Sequence, residues 1–459
     1  LTLLNPFNLE PFIEIEQANQ QTIDHALENA QSAYADRKEL PAHKRASILK
    51  RLSAAVEAHA EELAKIIATE GGKPLKDAKA EVSRAVQTIE LAANECGNLG
   101  GQQIPMDRSP AGENHFACTV REPIGPVLCI SAFNHPLNLI CHQAIPAFAA
   151  GNPVLIKPAT QTPVSCLRLV ELWLESGLPP EWVSVLPIAG AGITPLVENP
   201  AIKFLSFIGS EAVGWSLRGQ VAPGTRLSLE LGGTGTAVLL EDADIEAALP
   251  GLVRASYYHA GQVCISTQNI FVHESIYEDF VLKFKRAVSP LVTGNPLDPD
   301  TDIGPIINET ELNRIQSAVT KAIASGAECI LGNDRLGQTC LLPTILTETT
   351  LDMEVMSEEI FGPVVSIASF SDIDKLVADV NNTRFSFQLS CYTQNINAAF
   401  SLSEKIKTKA FLINECTAFR VDWMPFGGAA ASGLGVGGIP YAMEEMSTEK
   451  LLIVRTNND

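Results

Sequence analysis

The sequence predicts an α/β protein built on two parallel sheets, and three observations carry that prediction. From Pro126 onward, short apolar runs alternate with helical stretches, the pattern of parallel strands joined by crossover helices. A second alternating region begins after Gly232-Gly233, which divides the chain into two such units. The 459 residues are too many for one ordinary domain and ample for burying two cores.

Residues 18–35, 42–69 and 75–99 carry apolar residues at helical spacing. Gly71-Gly72-Lys73-Pro74 separates the second helix from the third, and Gly100-Gly101 ends the third. A turn at Ser109-Pro110-Ala111-Gly112 precedes a strand at 115–122. In the first α/β unit, strands are expected at 127–131, 153–157, 182–186 and 204–208, with helices at 137–150 and 164–176. Ligands bind such sheets at the carboxyl ends of the strands, and Asn134, Lys157 and Ser210 lie at or near three of these ends. In the second unit, strands are expected at 237–240, 269–273, 364–370 and 410–414, and helices at 245–258, 277–288, 309–325 and 373–381. The strands at 115–122 and 450–455 stand apart from both units. Lone strands need a partner edge, so these two are expected to form a small oligomerising flap.

Composition narrows the function. The chain is 46% hydrophobic and 19% charged, an ordinary globular balance. Its formal net charge of −20 argues against nucleic acid or an anionic membrane as a partner. Ten cysteines include no Cys-x-x-Cys pair, and eight histidines form no His-Glu-x-x-His, so no metal site is expected. A disulfide framework is not expected in so long a chain, which points to a reducing, cytoplasmic compartment. No apolar run reaches the roughly 18 residues of a spanning helix. The first residues lack the basic flank of a signal peptide, although the native chain can extend further toward the N-terminus. Gly433, Gly435 and Gly438 fit G-x-G-x-x-G, but no βαβ unit surrounds them, so they are not expected to bind a dinucleotide.

The chemistry is concentrated between Ser228 and Gln268. Glu230 and Cys264 sit 34 residues apart, each beside glycines that let a ligand approach the backbone. A thiol nucleophile and a carboxylate base are a workable pair for covalent chemistry on a carbonyl. Alone, either residue reads equally as a surface acid or a small buried hydrophobe. The surrounding motifs remove that ambiguity. Phe133-Asn134-His135-Pro136, Leu155-Ile156-Lys157-Pro158-Ala159, Phe207-Ile208-Gly209-Ser210, Glu230-Leu231-Gly232-Gly233, Gly261-Gln262-Val263-Cys264, Glu358-Glu359-Ile360-Phe361-Gly362-Pro363 and Pro425-Phe426-Gly427-Gly428 occur in this order. The series resembles the NAD(P)-dependent aldehyde dehydrogenase superfamily, over nearly the whole chain.

The resemblance implies an aldehyde-dehydrogenase-like fold. A Rossmann-like cofactor domain would comprise residues 1–105 and 122–232, and a catalytic domain residues 233–440. Residues 106–121 and 441–459 would form the β oligomerisation segments of a homodimer or homotetramer. It also implies a mechanism. Cys264 would attack the aldehyde to give a thiohemiacetal, whose oxyanion the Asn134 amide and the Cys264 N–H would stabilise. One such donor is typically worth about 2.7–4 kcal/mol of barrier. Hydride transfer would leave a thioester, and Glu230 would activate water to release the acid. For the cofactor, the resemblance places Lys157 at the adenosine ribose, Ser210 near the pyrophosphate, Glu359 at the nicotinamide ribose and Phe361 against the nicotinamide. Thr160 stands where NAD-strict relatives often carry a glutamate that repels a 2′-phosphate. NADP is therefore expected to be tolerated beside NAD.

By the same resemblance, Arg84, His135, His142, Arg420 and Phe426 fall near the substrate tunnel. Two guanidiniums there suit a carboxylate, phosphonate or phosphate, which arginine grips bidentately. The expected substrate is thus a small anionic aldehyde, such as a semialdehyde; pairing of the arginines with Glu81 and Asp422 is the competing reading. Val263 stands where relatives for triose phosphate often carry an arginine, which weakens that option. A coenzyme-A-acylating enzyme, a catalytically inactive member of the fold, and a cysteine hydrolase using His259 are the alternatives. Two departures from the family pattern, Ala429-Ala430-Ala431 and Val436-Gly437, are expected to affect loop packing and not the chemistry.

Overall fold

In the computed structural model, which describes residues 1–456, two parallel sheets organise the chain. The first has strands Val127–Ile130, Val154–Lys157, Val183–Val185, Phe204–Ile208 and Arg226–Glu230, all parallel. Numbered along the chain, they lie in the order 3-2-1-4-5. That order reverses between Val127–Ile130 and Phe204–Ile208, and a crevice at the carboxyl ends of strands is expected where it does. Every residue of Val127–Ile130, Val154–Lys157 and Phe204–Ile208 is buried, which explains their continuous apolar runs: helices cover both faces. The second sheet has seven strands, all parallel except the edge strand Glu328–Leu331. Each sheet has its own apolar core.

The expected elements are present, with differences that have local causes. The single helix expected over 42–69 is two, Ala42–Ala58 and Ala60–Gly71. His59 leaves helical geometry between them, and its ring nitrogen Nδ1 lies 2.8 Å from the Ala55 carbonyl oxygen. Gly72 ends the second helix in the left-handed region, as a C-terminal glycine should. Strands Arg226–Glu230, Glu328–Leu331, Thr344–Thr347 and Gln388–Tyr392 lie outside the expected set. They are four or five residues long and mix polar with apolar residues, so no apolar run marks them.

The two lone strands do find each other. Ser447–Arg455 pairs antiparallel with His115–Pro123 through nine residue pairs, and Gln103–Ile104 adds a third strand. Leu451, Leu452, Ile453 and Val454 are all exposed on this small sheet. The glycine cluster near the C-terminus has a packing role. Gly433–Leu434 is a short antiparallel edge strand on Arg226–Glu230, with Gly433 opposite Glu230. A β-carbon at Gly433 would lie 2.2 Å from the Leu229 carbonyl oxygen, so only bare backbone fits there.

Candidate active site

A continuous cleft of about 1370 Å³ is lined from both sheets and holds every residue singled out above for chemistry, cofactor or substrate, except His142 and His259. Glu230 and Cys264 meet through backbone geometry. Glu230 ends the last parallel strand of the first sheet. The chain then passes through Gly232-Gly233 into Gly235–Leu239, which runs parallel to Thr267–His273, the strand just after Cys264. A β-carbon at Gly233 would stand 3.2 Å from the Cys264 carbonyl oxygen, and one at Gly235 only 2.1 Å from that of Ser266. Glycines thus bring the two ends of the 34-residue stretch against each other.

The loop before Cys264 is held in an uncommon shape. His259 (φ 50°), Ala260 (φ 55°) and Gly261 (φ 70°) are successive left-handed residues. For the two non-glycine residues this costs about 1–2 kcal/mol each, so the surroundings must fix it. Gln262 does much of this. Its Nε2 donates to the carbonyls of His259 and Pro305, each at 3.2 Å, and its Oε1 accepts from Ile307 N at 3.0 Å. Gly261 packs against the Gly362 carbonyl, where a β-carbon would sit 2.1 Å away. That contact ties the cysteine loop to the segment bearing Glu359 and Phe361. The Gln262 carbonyl accepts from Asn134 Nδ2 at 2.9 Å, which aims the amide at the loop and leaves its second hydrogen for a ligand. Asn134 is itself set by the following helix. Glu81 accepts from the backbone N–H groups of Leu137 and Asn138, at 3.0 and 3.1 Å, and forms a fully buried ion pair with Lys73. A carboxylate at a helix N-terminus is the stabilising arrangement.

The electrostatics follow from burial. Burial, with the carboxylates of Glu359 and Glu230, pushes the Cys264 thiol up to about 12, and the Arg420 guanidinium pulls it back down. Burial likewise raises the Glu230 carboxyl, again opposed by Arg420. Glu359 is pushed up to about 7 by burial, against a hydrogen bond from Gly233 N to its Oε1 at 3.1 Å. Lys157, Thr160 and Ser210 also line the cleft. Lys157 is buried at the end of its strand, with Nζ 3.1 Å from the Pro158 carbonyl oxygen. Ser210 sits at the N-terminus of the helix Glu211–Arg218. Phe361, itself left-handed (φ 53°), meets Phe133 edge-to-face at 5.8 Å.

The substrate-side residues separate into different roles. Arg84 lines the cleft, but its Nη2 is engaged by Asp422 Oδ1 at 2.6 Å. Glu81, the other acid considered for it, is taken by Lys73. Arg420 has no carboxylate within ion-pair distance among the described residues. Its guanidinium carbon lies 3.6 Å from the centre of the Phe426 ring, and its Nη2 is 3.3 Å from His142 Nδ1. Desolvation disfavours its charge, with Glu230 acting the other way, and a guanidinium stays protonated in either case. His135 is buried at the cleft wall and stacks with Tyr258 at 5.8 Å. His142 corrects the expectation made for it: it is buried behind Arg420, because its ring nitrogens are taken up by Asp422 and Arg420. His259 also lies outside the cleft lining, and both its ring nitrogens are buried without hydrogen-bond partners.

Two features are invisible at the level of motifs. Gly437 is the first, and it lies against Glu230, where the sequence marks only a loop. A β-carbon there would lie 2.4 Å from Glu230 Oε1. The second is Arg384, which bridges Glu211 from the first unit and Glu358 from the second across the cleft rim. Its partners are 173 and 26 residues away, so spacing gives no signal.

Comparison with known proteins shows the family and the fold. The family model for the aldehyde dehydrogenase family matches residues 1–452. A 3-sulfolactaldehyde dehydrogenase of Priestia megaterium is 38% identical over 455 residues, covering 99% of this chain and 94% of the relative. A glyceraldehyde-3-phosphate dehydrogenase of Methanocaldococcus jannaschii, solved with NADP, superposes with a TM-score of 0.95 at 34% identity, covering 99% of each chain. Aldehyde dehydrogenase 21 of Physcomitrella patens, solved with its reaction product succinate, gives a TM-score of 0.96 at 33% identity, covering 99% of this chain and 95% of the other.

Proposed function

Because the chain belongs to the aldehyde dehydrogenase family, we propose that it oxidises a small anionic aldehyde to the carboxylic acid, with NADP or NAD as the hydride acceptor. One observation carries the choice of substrate. Arg420 presents to the cleft a cation with no carboxylate within ion-pair distance among the described residues, Glu230 and Asp422 acting on it only from further away, whereas Arg84 is paired directly with Asp422. A desolvated guanidinium without a directly paired carboxylate favours a ligand that brings one. The relatives named above act on a sulfonate or a phosphate aldehyde, or release a dicarboxylate.

The cleft has the features a dinucleotide needs. It opens at the reversal of strand order. Bare backbone at Gly209 and Gly232 keeps it clear, since β-carbons there would stand 2.6 Å from the Phe207 ring and 2.2 Å from the Glu359 carboxylate. Lys157, Thr160 and Ser210 would hold the adenosine half, and Glu359 and Phe361 the nicotinamide half. Thr160 brings no negative charge beside Lys157, which suits NADP. When bound, the oxidised nicotinamide supplies the acceptor for the hydride of the aldehyde carbon.

The chain's own residues would do the remainder. Cys264 Sγ, as thiolate, adds to the carbonyl carbon after giving up its proton to solvent, and Glu230 acts only later. The carbonyl oxygen becomes an oxyanion, which accepts from the free N–H of Asn134 and the backbone N–H of Cys264. The acyl group then sits on Cys264 as a thioester. Water attacks it, Glu230 accepts the water's proton, and the thiolate leaves as the acid is released. We also propose that the exposed 451–454 strand is where copies of the chain assemble.

The test is a panel run with both cofactors: succinate semialdehyde and sulfoacetaldehyde against propanal and butanal. The anionic set should show kcat/KM about tenfold to a hundredfold higher, the worth of one charge-assisted contact. Equal values for both sets, unchanged in Arg420→Met, would rule the anionic substrate out.

A further inference from the structure

We propose that His142, held by Asp422, is a positioning residue that makes Arg420 selective for anions; this rests on the reading of Arg420 as the anion-binding group. His142 lies on the buried helix Asn138–Ala149, one layer behind the cleft. Its Nε2 is 2.9 Å from Asp422 Oδ1, and its Nδ1 is 3.3 Å from Arg420 Nη2. An ionised carboxylate only accepts, so the single ring proton sits on Nε2. Nδ1 is then a lone pair, and it faces a guanidinium that only donates. Asp422 thus fixes the tautomer, and the tautomer fixes the direction of the arginine.

What Arg420 does not receive matters as much. The Asp422 oxygen bonded to His142 is also the one engaged by Arg84 at 2.6 Å. Arg420 instead meets two neutral partners, the His142 lone pair and the face of Phe426. Both attract a cation and neither cancels its charge. A carboxylate at 142 would hold the arginine equally well but would neutralise it. An aliphatic side chain would leave the charge intact and let the guanidinium turn away. Histidine in this tautomer gives orientation with the full charge retained. Nη2 is the Arg420 nitrogen that makes a hydrogen-bond contact among the described residues, so guanidinium hydrogens remain for a ligand.

The experiment compares the holoenzyme with NADP, as wild type, His142→Leu, His142→Asn and Arg420→Met. Each is run on sulfoacetaldehyde and succinate semialdehyde, and on propanal and butanal. Leucine removes both hydrogen bonds, whereas asparagine keeps an acceptor near the position of Nδ1. His142→Leu should lower the preference for anionic over neutral aldehydes, as the ratio of their kcat/KM values, about tenfold, as one lost contact to a charged group predicts. His142→Asn should recover most of that loss. If His142→Leu leaves that ratio unchanged while Arg420→Met lowers it, the positioning role is overturned and the anion site stands. Equal losses on anionic and neutral aldehydes in His142→Leu also overturn it, since they mark a merely structural residue. If Arg420→Met leaves the anionic preference intact, the anion-site reading itself falls.

Discussion

Gly437 lies directly against the carboxylate of Glu230: a β-carbon added at Gly437 would stand 2.4 Å from Oε1. The obstructed atom is the free end of a side chain, and Gly437 has no left-handed φ. Gly437→Ala should therefore fold and simply push the carboxylate aside. If Glu230 is the base for thioester hydrolysis, hydride transfer survives and acid release slows. The expected result is a full initial burst of NADPH absorbance followed by a steady rate about tenfold lower. Glu230→Gln should show the same burst with a loss of about 10²–10⁴-fold, the usual worth of a general base. A normal steady rate in Gly437→Ala would mean that Gly437 does not set the position of Glu230.

Arg420 is the cation that opposes the rise of both the Cys264 and the Glu230 pKa. Removing a positive charge disfavours an anion, so Arg420→Met should move the Cys264 thiol further up. Iodoacetamide alkylation without aldehyde reads this directly. The variant should react more slowly across the alkaline range, with its pH profile displaced upward. An unchanged profile would show that the guanidinium does not act on the thiolate.

Glu70 should be visible in the stability of the protein. Its carboxylate is fully buried and accepts from the backbone N–H groups of Val164 and Ser165, at 2.7 and 3.0 Å. Burial pushes it up to about 7, against 4.5 for an ordinary glutamate, despite those hydrogen bonds. The native state therefore binds the proton more tightly than the unfolded chain. Stability from this group is complete below pH 4.5 and is lost as pH rises through about 7. The fall in Tm between about pH 5 and pH 8 should be smaller in Glu70→Gln than in the wild type. An identical fall would assign the pH dependence to other groups, such as Glu359.

The strand Ser447–Arg455 exposes Leu451 and Ile453 on one face and Leu452 and Val454 on the other. One layer of apolar side chains facing water on both sides is unusual for a stable sheet. Ile453→Lys should lower the oligomeric state seen by light scattering, with little effect on the fold of the two large units. A wild-type protein that runs as a monomer would remove this assembly surface.

Much of the architecture was legible because its signals are local. Helices over 20–35 and 75–95 announce themselves by apolar spacing, and buried parallel strands by short apolar runs. The strand Arg226–Glu230 was not legible, because polar residues interrupt its apolar positions. The split of the 42–69 helix at His59 depends on one side-chain contact with the preceding turn, which periodicity does not report.

The sequence by itself determined the fold class and the family, and singled out Cys264 and Glu230 as the proposed reactive pair, because glycine spacing and motif order are written along the chain. The tertiary structure alone decided how the charges are shared. Asp422 could have neutralised either arginine, and it engages Arg84 and His142. His142 is 280 residues from Asp422 and 278 from Arg420. Coulomb energy and desolvation depend on distance in space and on burial, and neither quantity is encoded in spacing along the chain.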